Sequence, residues 1–147
     1  MILGIPKEIL EHENRVAALP DSVKAYVVMG FQVLLDTGAG DGSLHGDEEY
    51  RAAGAEIGHG PVEVFGRADL VLKVKQPKMN QRLGRHEADL MRAGTALITF
   101  LHPAAPANHE MIRRLRDRRI TSFTMDGIPR ITRAQPMDAL TSMSTIT

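Results

Sequence analysis

Short apolar runs alternate along this chain with polar stretches of a different rhythm. Residues 1–5 form an apolar run stopped by Pro6, which predicts a first strand. Residues 7–20 are a polar connection that holds Arg15. Asp21 or Ser22 can cap a helix in which Val23, Tyr26, Val27 and Gly30 recur at helical spacing. Residues 31–35 predict strand two, and Gly38-Ala-Gly-Asp-Gly-Ser a loop after it. Residues 47–53 predict a short helix closed by Gly54, with acidic residues in the first turn where the helix dipole favours them. Glu56 and Ile57 predict a minor strand, and residues 61–65 a helical turn. Residues 70–75 predict strand three, broken at Pro77. A short helix over 86–91 leads to strand four over 96–101. Asn108 is placed to cap a helix through Arg118, with Met111, Ile112 and Leu115 on its buried side. Residues 120–125 predict strand five.

Most of these strands are continuous apolar runs, and helices separate them. That is the pattern of an α/β protein: a three-layer, mostly parallel sheet with helices on both faces. No internal repeat or low-complexity segment interrupts it. Residues 137–147 read as the start of a helix with no Gly or Pro stop signal, so the chain is expected to be part of a longer protein.

Composition narrows the function. The 147 residues suit one domain with a single core, and the scarcity of aromatics predicts an aliphatic one. Lys plus Arg equals Asp plus Glu, giving a formal net charge of zero, which argues against nucleic acid as a partner. There is no cysteine, so disulfides and thiolate metal sites are excluded, and the six histidines show no metal-ligand spacing. No metal is expected. The N-terminus lacks the basic and long apolar parts of a signal peptide. No run reaches the about 18 apolar residues of a membrane helix. The default is a soluble cytoplasmic protein.

In an open α/β sheet, ligands sit beyond the carboxyl ends of the strands. Sorted by that rule, Arg15 follows strand one, Lys75 closes strand three, His102 follows strand four, and Arg130, Gln135 and Asp138 follow strand five. This last loop, Ile128-Pro-Arg-Ile-Thr-Arg-Ala-Gln-Pro-Met-Asp-Ala-Leu-Thr141, is polar and stiffened by Pro129 and Pro136. Together these residues would suit an anionic or carbonyl-bearing small molecule. Each also has a plain structural reading: Lys75 as a strand-end lysine with its head in solvent, His102 as a satisfied structural histidine, Arg15 as a loop arginine. The cluster Arg113, Arg114, Arg116, Arg118 and Arg119 reads as a solvated face that complements a helix C-terminus. Gly38-Ala-Gly-Asp-Gly-Ser fails as a dinucleotide fingerprint: Ser43 stands where the third glycine belongs and no capped helix follows. Its glycines are expected to serve a sharp turn.

Gly4-Ile-Pro-Lys-Glu-Ile, Glu13-Asn-Arg-Val-Ala and Asp69-Leu-Val-Leu-Lys-Val-Lys occur in order and at the right separations to resemble the N-terminal domain shared by alanine dehydrogenase and the alpha subunit of proton-translocating NAD(P) transhydrogenase. The resemblance covers essentially all of 1–147. It implies a flavodoxin-like or Rossmann-like half, with the nucleotide-binding Rossmann domain absent from this chain. Pro129-Arg-Ile-Thr-Arg-Ala-Gln-Pro-Met-Asp-Ala-Leu-Thr-Ser resembles the transhydrogenase branch. In that branch the resemblance makes Arg130, Gln135, Asp138 and Thr141 the residues that orient the nicotinamide of NAD(H). Thr141 stands where serine is usual, and Pro136 replaces a small polar residue.

In the alanine dehydrogenase branch, the resemblance makes Arg15 and Lys75 the partners of the pyruvate carboxylate and carbonyl, and His102 the proton-transfer group. Arg15 and Lys75 occur in both branches; His102 leans to alanine dehydrogenase. The implied partners are a Rossmann NAD-binding domain of the same parent chain, membrane-embedded and NADP(H)-binding transhydrogenase subunits, and a second copy in a homodimer. Helical segments returning from beyond the Rossmann domain would complete this one, so an uncovered apolar patch is expected without them. A non-catalytic domain that binds a small anion or another subunit is the alternative from a different class.

Overall fold

Ile2–Ile5 becomes β1, with Leu3 and Ile5 essentially without solvent exposure, in a computed structural model that describes residues 1–99, 101 and 106–125. The elements that follow are α1 (Pro20–Val28), β2 (Gln32–Asp36), α2 (Asp47–Ala52), β3 (Glu56–Gly58), α3 (Pro61–Arg67) and β4 (Leu70–Leu72). Then come a small antiparallel pair, β5 (Met79–Asn80) and β6 (Arg85–His86), and α4 (Glu87–Leu90), β7 (Ala96–Thr99), α5 (His109–Asp117) and β8 (Thr121–Thr124). Six strands form one sheet in the order β3-β2-β1-β4-β7-β8, and every pairing in it is parallel. This is the doubly wound order, with a switch point between β1 and β4. The expected α/β sheet with helices packed on both faces is therefore present.

Alternation along the strands divides the core. Leu3, Ile5, Val33, Leu35 and Ile57 pack with Val23 of α1 and Tyr50 of α2. Val71 and Leu97 join Phe65 of α3, Ala88 and Leu90 of α4, and Met111 and Leu115 of α5. Each fully buried aliphatic side chain contributes roughly 1.5–3 kcal/mol. Gly4 lets α3 rest directly on β1, because a Cβ there would lie 2.6 Å from the Ala68 Cβ.

Local differences from the expected pattern have local causes. The first helix begins at Pro20, whose ring suits the first helical position, and no side chain caps it. Its buried stripe is narrow: Val23 is buried, whereas Val28 is 87% exposed. Strand three, expected over 70–75, ends at Leu72: the Lys73 N–H still donates to the Ile98 carbonyl of β7 at 3.1 Å, but the Val74 and Lys75 N–H groups turn to the Glu8 carboxylate. Asn108 precedes α5 but does not cap it; its amide donates to the Leu101 carbonyl at 3.3 Å. Of the arginines around α5, Arg113, Arg116, Arg118 and Arg119 are exposed, as a solvated face requires. Arg114 instead pairs with Asp89 at 2.7 Å, and Arg118 donates to the Met91 carbonyl. Leu72, Ile98 and Phe123 lie in register across β4, β7 and β8, and Phe123 is 56% exposed.

Candidate functional site

The chain leaves β1 towards β2 and leaves β4 towards β7, so a crevice opens where these neighbours end. Glu8, three residues past β1, fills it. Its Oε2 accepts the Val74 N–H at 3.0 Å, and its Oε1 accepts the Lys75 N–H at 3.1 Å. The same Oε1 accepts from Lys73 Nζ at 3.1 Å. Lys73 follows Leu72 with the inward alternation of the strand, and its ammonium also reaches Glu87 Oε2 at 3.5 Å. Glu87 opens α4, and its Oε1 accepts the Lys78 N–H at 3.0 Å. All three side chains are almost fully buried: 2% exposure for Glu8 and 1% for each of the others.

One ammonium thus serves two carboxylates in a dry setting. Burial by itself would drive Lys73 down, but the charges of Glu87 and Glu8 outweigh it and hold the amine above its ordinary range. Burial pushes Glu87 up, and the Lys73 ammonium only partly opposes that.

Arg15 grips a further carboxylate, and the charge of Lys75 acts weakly on the same group. Glu13 sits in the loop after β1, and its side chain is 7% exposed. Arg15 Nε donates to Glu13 Oε1 at 2.8 Å, Arg15 Nη2 to Oε2 at 2.9 Å, and the Arg15 backbone N–H to Oε1 at 3.0 Å. The side-chain bonds from Arg15 hold the Glu13 carboxyl below its usual range against the effect of burial, with smaller help from the charges of Arg15 and Lys75. The bond to Glu13 raises Arg15 in turn, and the Glu13 and Glu8 charges add to it while burial opposes. Lys75 is half-buried, and its carbonyl accepts from Thr99 Oγ1 at 2.9 Å. Two sequence-predicted residues from distant segments therefore share one electrostatic neighbourhood. His102, Arg130, Gln135, Asp138 and Thr141 lie outside the described residues.

The glycine loop after β2 supports this neighbourhood. A Cβ at Gly40 would lie 2.4 Å from the Tyr50 ring, and one at Gly42 2.7 Å from the Asn14 carbonyl oxygen. Ser43 Oγ donates to that same oxygen at 2.8 Å. Gly42 allows close packing against the segment that carries Glu13 and Arg15, and Gly40 against Tyr50 of α2, which goes beyond the sharp turn expected of them.

The described crevice does not fit a dinucleotide pyrophosphate. A carboxylate occupies its mouth, and the amides that could face an anion are bonded to that carboxylate. Asp36, at the end of β2, accepts the Lys7 and Gly60 N–H groups at 3.3 and 3.1 Å, and burial pushes its carboxyl up despite them. Among the described residues no group of three or more His, Asp or Glu is placed to hold a metal.

The sequence reading missed Glu8, Lys73, Glu87 and Thr99. One signal was present: Lys73 alternates inward with Val71, and a lysine in that register must find an anion.

The family model described as "Alanine dehydrogenase/PNT, N-terminal domain" matches residues 4–147. The chain is 41% identical over 146 residues to the NAD(P) transhydrogenase subunit alpha of Cereibacter sphaeroides, covering 99% of this chain and 26% of that protein. It is 40% identical over 146 residues to the alanine dehydrogenase of Methanococcus maripaludis, covering 99% of this chain and 36% of that one. The crystal structure of transhydrogenase from Sinorhizobium meliloti superposes with a TM-score of 0.86 at 37% identity, over 99% of this chain and 41% of that chain. A solved L-alanine dehydrogenase gives 0.79 at 32% identity, over 93% of this chain and 37% of that one. The chain thus spans well under half the length of each.

Proposed function

This chain belongs to the alanine dehydrogenase/transhydrogenase N-terminal domain family, and on that premise we propose that it is the N-terminal domain of a NAD(P) transhydrogenase alpha subunit. The parent would transfer hydride between NAD(H) and NADP(H), coupled to proton translocation. The observation that carries this reading is the segment from Pro129 to Ser142, whose two arginines, glutamine and aspartate follow the transhydrogenase pattern. Since the described crevice does not suit a pyrophosphate, a Rossmann domain of the same parent chain would hold most of NAD(H). This domain would meet the nicotinamide end. Arg130, Gln135, Asp138 and Thr141 would orient the ring, and orientation is where most of the rate gain for a direct hydride transfer arises. NADP(H) would sit on a partner subunit, with membrane-embedded subunits conducting protons and the domain cytoplasmic, at the inner face of the membrane. No helix among the described residues is long and apolar enough to cross a membrane.

The 40% identity to an alanine dehydrogenase supports a second reading, an alanine dehydrogenase-like enzyme. There the two cations would receive a pyruvate carboxylate and carbonyl. Lys75 would stabilise charge developing on the substrate oxygen, and His102 would deliver the proton.

The test is made on the chain extended through its nucleotide-binding half. Reduction of an NAD analogue by NADPH, in the presence of the NADP-binding partner, is expected and should survive His102→Ala. Oxidation of NADH that depends on pyruvate and ammonia, and is abolished by His102→Ala, would establish the second reading instead. A natural reading frame that ends near Thr147, with no glycine fingerprint beyond, would leave only a non-catalytic binding domain. The 147-residue chain alone is expected to bind NADH weakly and to turn nothing over.

A further inference from the structure

Backbone groups at the end of a strand are usually satisfied by the ladder, by water or by a turn. Lys75 is an exception on both its polar groups. Its N–H goes to Glu8 Oε1 at 3.1 Å, from the loop after β1. Its carbonyl accepts from Thr99 Oγ1 at 2.9 Å, from the end of β7. These are the strands that flank β4 in the sheet. Lys75 is thus held from left and right by two side chains, beyond the point where β4 has ended at Leu72.

Both holders are buried. Thr99 is 1% exposed. The Glu8 carboxylate is fixed by Val74 N–H and by buried Lys73, which Glu87 grips in turn. Ending a strand does not require this, and burying three ionisable groups costs several kcal/mol per ion before their mutual attraction offsets it. An apolar set at these positions could close the sheet as well. What the charged set adds is placement: a lysine whose stem starts from a fixed point, with its ammonium acting on Glu13.

We propose that Glu8 and Thr99 are positioning residues that fix the backbone of Lys75 from two sides and thereby set where its ammonium meets the ligand. The proposal rests on the reading that Lys75 faces the ligand. The cluster of Lys73 and Glu87 keeps Glu8 in place and has no ligand of its own.

The test reads the carboxyl titration of Glu13 by carbon NMR in this chain. Lys75→Met sets the scale: removing the ammonium should move the Glu13 midpoint upward. Thr99→Val keeps shape and removes the hydroxyl, and should reproduce most of that rise, while Thr99→Ser should restore the native midpoint. Glu8→Gln should act in the same direction. Because Glu8→Gln leaves Lys73 short of an anion and could unfold the chain, Thr99→Val with its Ser rescue carries the test by itself. A midpoint that stays native in Thr99→Val while Lys75→Met moves it would overturn the proposal, since Lys75 would then be placed by something else. A midpoint that Lys75→Met does not move would overturn it equally. The functional reading fails separately: it falls if Lys75→Met leaves hydride-transfer kinetics of the extended chain unchanged, whatever Glu13 does.

Discussion

Replacing Lys73 by methionine is the sharpest perturbation the fold offers. The stem volume is nearly kept, so the change is almost purely one of charge. Lys73 is 1% exposed and lies 3.1 Å from Glu8 and 3.5 Å from Glu87. Its loss leaves two buried carboxylates facing each other with no counter-charge, and breaking a buried pair from one side costs about 3–5 kcal/mol. Against a domain stability of ~5–15 kcal/mol, that is a large fraction. Glu87→Gln makes the converse change. It removes one of the two negative charges around Lys73 and leaves Glu8 as the counter-charge, so the expected cost is smaller, about 1–2 kcal/mol.

The pH dependence separates this account from simple loss of packing. Glu87 has a folded value raised above its unfolded one, so its contribution to stability is fully present below the ordinary carboxylate range. That contribution is lost as pH rises through the raised folded value. In Lys73→Met both carboxylates lose the ammonium, so the cost should be greatest near neutrality and shrink as acid protonates them. Urea denaturation followed by circular dichroism, at a series of pH values, measures this directly. A cost below about 1 kcal/mol at neutral pH, or one that does not change between neutral and acid conditions, would refute the view that Lys73 neutralises the cluster.

Two further outcomes follow from contacts elsewhere. Gly42→Ala drives a Cβ to within 2.7 Å of the Asn14 oxygen and 2.8 Å of its Cα, so it should destabilise by about 1–3 kcal/mol and speed proteolysis within residues 9–19. Gly46→Ala, which meets nothing within 4 Å, is the control. Burial pushes the Tyr50 phenol up to about 12, with the Glu49 charge adding to it, and its hydroxyl donates to the Ala18 carbonyl at 2.9 Å. Stability from this group is therefore complete below the ordinary phenol value of about 10 and is lost as pH climbs through about 12. Tyrosinate absorbance from Tyr50 should be missing at pH about 10, and Tyr50→Phe should cost about 1–2 kcal/mol in denaturant.

The fold was legible because the strands are apolar runs bounded by proline and glycine. Residues 1–5, 31–35 and 96–101 each predict a strand whose core survives as Ile2–Ile5, Gln32–Asp36 and Ala96–Thr99. The sheet order was not legible, since alternation of strands and helices fixes neither which strand is central nor where the winding reverses. The end of strand three misled for a definable reason: Val74 continues the apolar alternation, yet its N–H is bonded to Glu8, from a segment 66 positions away. Nothing local to residues 70–75 carries that information. Lys73 was legible in principle, as an inward-facing cation, but its partners lie before α1 and at the start of α4. Arg15 and Lys75 were grouped by the rule that ligand groups gather at carboxyl strand ends, and their one link here is Glu13, which Arg15 binds and on which the Lys75 charge acts weakly. Glu13, which brings the two together, lies beside Arg15 in the sequence but has no periodicity to mark it.

Among the described residues the crevice is poorly suited to a pyrophosphate. The six-stranded order is that of a dinucleotide-binding sheet. In such sheets a glycine-rich turn brings backbone N–H groups and a helix N-terminus to the pyrophosphate. Here fourteen residues, 6–19, separate β1 from α1, and a glutamate carboxylate satisfies the amides that close the gap. An anion bound there would have to displace Glu8 and leave Lys73 with Glu87 as its one charge partner among the described residues, at a cost of several kcal/mol. What stays open to a ligand is the polar rim beyond, where Lys75 is half-buried and Arg15 is 39% exposed. The chemistry of that rim, where Glu13 holds the Arg15 guanidinium, suits gripping or orienting a small anionic group. It does not suit holding a dinucleotide along its length.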